Sequence, residues 1–266
     1  MTIAIAIAVP DGIALAADTQ TTWHQIINQA KEKGTGKLVE LETPISMPIG
    51  WSRMARKVFP LTFAKQHFAL CTAGAASLNG KTMYSIFKSL ELAYTGDSNC
   101  EKVTQYLVTG LKEELKEHHR IADLTTAPIT TCDFILAGFD QGNVSKPFVE
   151  SHLVFSGTIN IDGKNDSSGQ FLRHSLRNSE PFGGCWIGRT EFISHIINHK
   201  NAELPPIYGQ FHMMTLADAM DYTRFLVEFT CDFQRFAIMV PDCGRPIVIA
   251  SLTPDGYSEK VISEDA

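Results

Sequence analysis

The chain has 266 residues, of which 44% are hydrophobic and 20% charged, and its formal net charge is −6. That balance fits a globular protein with a sizeable core, and the acidic excess argues against a basic phosphate-binding surface, so nucleic acid is not an expected partner. No apolar run reaches the roughly 18 residues of a membrane helix, and six dispersed cysteines without a Cys-x-x-Cys pair read as free thiols of a cytoplasmic protein without membrane contact.

Residues 2–9 alternate Ile and Ala, Pro10-Asp11-Gly12 makes a turn, and Ile13–Ala17 is a second apolar run, which together predict an opening β-hairpin. The same stretch imitates a secretory signal, with Ala14-Leu15-Ala16 as its cleavage site, but it has no basic leader and the turn interrupts it. Trp23–Lys33 is spaced as a short helix, and the glycines and prolines that follow mark an irregular excursion to about Arg56. A second hairpin is expected from Lys57 through Cys71 to Gly74. Helical apolar stripes then cover Lys81–Tyr94 and Val103–Leu115. Strands resume at Cys132–Phe139 and about Phe148–Ile161, helices at Glu191–Asn198 and Leu216–Phe229, and a final hairpin pairs Pro246–Leu252 with Tyr257–Ile262. This order is α+β rather than alternating βαβ, and suits two stacked antiparallel sheets with helices outside. With no repeat and no linker, one domain over 1–266 is expected.

The first candidate for chemistry is Thr2. Removal of Met1 would leave a threonine that carries a hydroxyl nucleophile and a free amine in one residue. An α-amino group of pKa about 8 is a competent base for the hydroxyl proton.

The surrounding sequence, MTIAIAIAVPDGIALAAD, resembles the start of mature proteasome β-subunits and of the related bacterial two-ring protease. In that family an acidic residue lies sixteen positions after the threonine, which is Asp18 here. A lysine opening a strand is matched by Lys57 in Arg56-Lys57-Val58-Phe59, and fourteen residues on stands Cys71 in Leu70-Cys71-Thr72-Ala73-Gly74. Cys243-Gly244-Arg245-Pro246 and the later Asp255-Gly256-Tyr257 resemble the family's ending. The resemblance implies an N-terminal-nucleophile hydrolase with a four-layer αββα sandwich, acting as a threonine peptidase without cofactor or metal. Thr2 would attack the peptide carbonyl, Lys57 would lower the pKa of its hydroxyl and amine, and Asp18 would hold the lysine. The Cys71 N–H would stabilise the oxyanion. Thr21 and Ala69 would shape the substrate pocket, and a small Ala69 floor favours Leu, Phe or Tyr before the cut bond. Arg189 or Thr190 stands where the family has a serine beside the amine, and Asp242 with Cys243 stands near the family's second acidic site. Implied partners are further copies of the chain in rings, a peptide or unfolded-protein substrate, and an ATPase unfoldase. Thr2 and Lys57 are 55 residues apart, more than the family's usual separation, so an insertion is expected within about 20–56. Lys37-Leu38 is a competing Lys-Leu pair inside it.

Other readings compete. A noncatalytic ring or scaffold protein would not need a free Thr2. Ala75-Ala-Ser-Leu-Asn-Gly-Lys81-Thr82 fits a relaxed phosphate-binding loop between a strand and a helix, with Lys81 on the nucleotide. His195 and His199 at helical spacing, with Cys185 upstream, lack the Glu of a zinc peptidase and read as a surface helix. His118-His119-Arg120 reads as cations at a helix C-terminus, and Asp162–Asp166 as a hairpin turn rather than a calcium loop.

Overall fold

A computed structural model describes residues 2–32, 37–140, 143, 146–176, 181–197, 210–236 and 241–263. The Ile/Ala alternation becomes β1 (Ile3–Val9), and the second run becomes β2 (Gly12–Asp18). Period-two alternation sends side chains to opposite faces of a strand. Ile3, Ile5, Ile7 and Val9 therefore pack on one side of the sheet, and Ala4, Ala6 and Ala8 on the other. The residues that imitate a signal segment are thus two fully buried strands.

Residues 21–52 form β3 (Thr21–Lys31) and β4 (Leu38–Ser52), an antiparallel two-stranded sheet of their own. The helix expected over Trp23–Lys33 is therefore a strand as far as Lys31, and Lys33 lies outside the described residues. Trp23, Ile26 and Ile27 mimic helical spacing, but the long partner strand offers pairing from Lys31↔Leu38 to Thr21↔Ser52, and that tertiary partner overrides a weak local pattern. Leu38, Val39, Ile49 and Trp51 are exposed along this ribbon.

β5 (Val58–Phe63) and β6 (Gln66–Gly74) form the second expected hairpin. A minor hairpin, β7 (Ser77–Leu78) and β8 (Lys81–Thr82), leads into α1 (Met83–Ala93) and then α2 (Cys100–His119). Thr82 and Asn99 cap the two helices by accepting from the backbone N–H of Ser85 and Lys102. Lys116, His118 and His119 occupy the last turn of α2, as the cationic run predicts. Next come β9 (Thr130–Phe139) and β10 (Pro147–Ser156), then a small hairpin of β11 (Ile159–Ile161) and β12 (Lys164–Asp166) that turns at Asp162-Gly163. β13 (Gln170–Leu176) and β14 (Gly183–Gly188) were not read from the sequence. α3 (Glu191–Ile197) and α4 (Leu216–Phe236) follow, and β15 (Ile247–Thr253) with β16 (Gly256–Ile262) closes the chain.

The architecture is mixed α and β, with antiparallel sheets and few helices. The larger sheets have five strands each, ordered β14-β1-β2-β15-β16 and β13-β10-β9-β6-β5. One buried cluster joins Ala4, Ala6, Ala8 and Leu15 of the first sheet to Ala69, Cys71, Ile135 and Ala137 of the second. The other face of the second sheet packs Phe59, Leu70 and Phe134 against Phe87, Val103 and Leu107 of α1 and α2. The other face of the first packs its isoleucines against Ile193 of α3 and Leu226 and Val227 of α4.

Small side chains on both facing surfaces set the separation of the two sheets. Ala6→Leu should overpack that contact and lower stability by about 1–3 kcal/mol. Urea denaturation checks this, and an unchanged midpoint would show that the sheets have room to separate.

Candidate active site

The centre of the site is an ion pair inside the protein. Lys57 Nζ lies 3.0 Å from Asp18 Oδ1, with both side chains almost wholly buried, at 7% and 0% exposed. The pair sits where β2 ends and β5 is about to begin. Lys57 also donates to the Gln20 carbonyl oxygen. Asp18 accepts three backbone donors besides: Ile3 N at 3.1 Å, Gln20 N at 3.0 Å and Gly244 N at 3.2 Å. Burial pushes the Asp18 carboxyl above its ordinary range, opposed by the Lys57 ammonium and by the Ile3 and Gly244 N–H groups. The lysine is thus what favours the ionised carboxylate.

Thr2 is held next to this pair by its own backbone. Ile3, its neighbour, is tied to Asp18, and the Thr2 carbonyl accepts from Arg189 N at 2.7 Å. That second bond forces a glycine at position 188. A Cβ there would lie 1.8 Å from the Thr2 oxygen, and the backbone has φ +88°. Thr2 and Lys57 open together into a cleft of about 670 Å³, bordered by Thr21, Thr22 and Ser52 from the β3–β4 ribbon and by Thr72–Ala76 at the end of β6.

The strand register places the oxyanion candidate differently from the sequence. Thr72 N donates to the Lys57 carbonyl at 2.9 Å, so on β6 the N–H of Thr72 faces β5. Alternation then turns the Cys71 N–H toward β9, where Ile135 is its opposite number, and the Gly74 N–H toward the cleft, beyond the start of β5. Cys71 is fully buried between the sheets, and burial raises its thiol pKa far above the ordinary range. Ala69 is buried in the same cluster and floors no cleft. Both expectations fail for one reason. The hairpin between Lys57 and Gly74 is longer than a fourteen-residue interval allows, so the count stops three residues short of the Gly74 N–H.

Of the outer candidates, Arg189 and Asp242 meet directly. The guanidinium reaches Asp242 Oδ2 through Nε at 3.1 Å and Nη2 at 2.5 Å, and Glu191 through Nη1 at 2.7 Å. Thr190 borders a separate cavity and caps α3, its carbonyl accepting from Ser194 N. Cys243 is buried, and its N–H and that of Asp242 both donate to Gln234 Oε1 of α4. Gln234, Gly74 and Gln20 went unread, and Gly244 was noted only within the Cys243-Gly244-Arg245-Pro246 motif. Gly74 carried a signal through its place in the Ala73-Gly74-Ala75-Ala76 run.

The nucleotide reading fails. Residues 75–82 hold a tight hairpin with left-handed Asn79 and Gly80 at its tip, not a loop that wraps a phosphate. Lys81 is paired with Glu114 at 2.9 Å, and Thr82 is spent on the α1 cap. Among the described residues no group of three or more His, Cys, Asp and Glu gathers as a metal site. His199 lies outside the described residues. Lys37 borders no part of the cleft, and Met1 lies outside the described residues. No described helix is long and apolar enough to cross a membrane.

No protein-family model matches the sequence, and no curated protein matches it. Solved structures do. The Anbu (Gly-1) mutant from Hyphomicrobium sp. strain MC1 is 15% identical, with a TM-score of 0.56 over 100% of this chain and 89% of that one. Anbu (ancestral beta-subunit) from Yersinia bercovieri is 13% identical, with a TM-score of 0.54 over 99% of this chain and 87% of that one. At these identities the likeness establishes a shared fold.

Breaking a buried pair leaves an uncompensated charge, at a cost of roughly 3–5 kcal/mol. Asp18→Asn should therefore destabilise the protein by that order, and Asp18→Asn with Lys57→Met should recover part of the loss. Denaturant midpoints of the single and double variants check this; equal losses would mean that the backbone donors, not the lysine, make Asp18 necessary.

Proposed function

We propose that the chain is an N-terminal-threonine hydrolase, a peptidase of the proteasome-like kind whose nucleophile is Thr2. The observation that carries this reading is the opening of Thr2, the clamped Lys57 ammonium and the inward Gly74 N–H into one cleft. The Thr2 hydroxyl attacks the carbonyl and loses its proton to the Thr2 amine, directly or through water. The buried Lys57 charge lowers the cost of the developing alkoxide and lowers the pKa of the amine, which keeps it unprotonated and free to accept the proton. The Gly74 N–H takes the oxyanion role first given to Cys71; donors of this kind contribute about 10²–10³ in rate. The protonated amine then returns its proton to the leaving nitrogen, and water hydrolyses the Thr2 ester. Arg189, held by Asp242, fixes the Thr2 main chain for this attack.

The same reading makes the two five-stranded sheets and their helices a four-layer αββα domain over 1–266. In it the β3–β4 ribbon is the insertion within 20–56. Ring assembly with further copies is the quaternary state this proposal carries.

Thr2→Ala should abolish peptide hydrolysis while Thr2→Ser retains part of it, because serine keeps both hydroxyl and amine. Lys57→Ala should lower kcat by at least two orders of magnitude, as loss of a preorganised charge does, whereas Lys37→Ala should not. Steady-state assays with peptides ending in Leu, Phe or Tyr before the cut bond check these. Full activity in Thr2→Ala would replace this reading with that of a scaffold or a different nucleophile.

A further inference from the structure

A second cavity, of about 330 Å³, is bordered by β10, β13 and β14 and by Thr190. Gly188 links it to the Thr2 cleft. It lines this cavity, while the space a Cβ would take on it abuts the Thr2 carbonyl and Ala73, which both line the cleft. A second link runs through the other sheet: Asp133 stands opposite Ala73 in the β9–β6 register and accepts from Arg173 Nε at 2.9 Å, and Arg173 borders the cavity.

Three features give the cavity a ligand chemistry. First, β14 ends its sheet, and no strand among the described residues pairs with its outer edge. Because Arg189 N donates to Thr2 O across β1, alternation turns the N–H groups of Gly184, Trp186 and Gly188 away from β1, toward that edge. All three residues line the cavity. Such an edge accepts an extended peptide as an added strand. Second, the cavity's lining includes the Arg173 guanidinium and the His174 imidazole and, among the described residues, no carboxylate. The nearby acids are engaged, Asp133 by Arg173 and Glu150 by Ser175 and His152. Third, Ser151 lines the cavity, is 0% exposed, and its hydroxyl is hydrogen-bonded to the Cys185 thiol, a weak partner. A bound carboxylate is a stronger acceptor for that hydroxyl than the thiol is.

We infer that this cavity is a leaving-side subsite: it takes the peptide segment beyond the cut bond, added as a strand on β14, with a carboxylate of that segment held by Arg173, His174 and Ser151. The inference rests on the Thr2 hydrolase reading and specifies its substrate class, peptides acidic on the leaving side.

The test uses the full chain and peptides that share one acyl part. An aminomethylcoumarin amide reads Thr2 chemistry with no peptide on the leaving side. Peptides that continue past the cut bond carry Glu, Gln or Lys in the next few residues. The wild type should cleave the Glu peptide with a kcat/KM about tenfold above the Gln and Lys peptides, the size of one charge-assisted contact. Arg173→Gln with Asp133→Asn, which leaves no unpaired buried carboxylate, should bring that ratio close to one. Equal ratios in an enzyme that turns over the coumarin amide would overturn the subsite and leave the Thr2 reading standing. Binding tests the subsite without turnover. A fluorescein-labelled Glu peptide should bind Thr2→Ala about tenfold more tightly than its Gln counterpart, and the added Arg173→Gln/Asp133→Asn pair should abolish the difference. Equal binding would overturn the subsite; a retained difference in a protein that hydrolyses nothing would uphold the cavity and remove the hydrolase reading.

Discussion

A lysine ammonium and an aspartate carboxylate buried side by side are costly to desolvate, and they persist only when the surrounding groups complete their hydrogen bonding. Around Asp18 that completion comes from Ile3, Gln20 and Gly244, three separate stretches of chain. The pair therefore fixes more than itself. It sets the start of β1 beside the end of β2, draws in the loop before β15, and anchors the first residue of β5's approach. Thr2 follows Ile3 into place. The cleft is in this sense a by-product of satisfying one carboxylate.

A second layer of polar contacts braces the first. Gln234 of α4 accepts the N–H groups of Asp242 and Cys243, which presents Gly244 to Asp18 and Asp242 to Arg189. Arg189 in turn holds the Thr2 carbonyl through its backbone. A helix on the outside of the first sheet is thus connected to the candidate nucleophile through a short run of hydrogen bonds. The Arg189 side chain is itself held by Asp242, with Glu191 on its other side.

Legibility in the sequence followed how local the determining physics is. β1 and β2 were readable because alternating Ile and Ala report one strand's two faces without help from distant residues. The stripes of α1 and α2 were readable for the same reason. β3 was misread because its apolar spacing is ambiguous and its strand state depends on pairing with the long β4. β14 was unread because half of its residues are glycines, which carry little strand propensity, and its pairing with β1 is remote in sequence. In the site, Thr2, Asp18 and Lys57 came from the resemblance to proteasome β-subunits, carried by short motifs along the strands, and the structure brings them to one cleft and one ion pair. Cys71 and Ala69 came from counting across a hairpin of different length. A count cannot see register, whereas the Thr72–Lys57 hydrogen bond does, and it moves the inward N–H to Gly74.

The central claim is that Thr2 presents a hydroxyl and a free amine to the cleft together. Treatment with an epoxyketone, which closes a ring on both groups at once, followed by peptide mapping in a mass spectrometer, tests it most directly. The account predicts a protein lacking Met1 and a single adduct that spans the Thr2 oxygen and nitrogen. Retained Met1, or an adduct on any other residue, in protein that still hydrolyses peptides would contradict it.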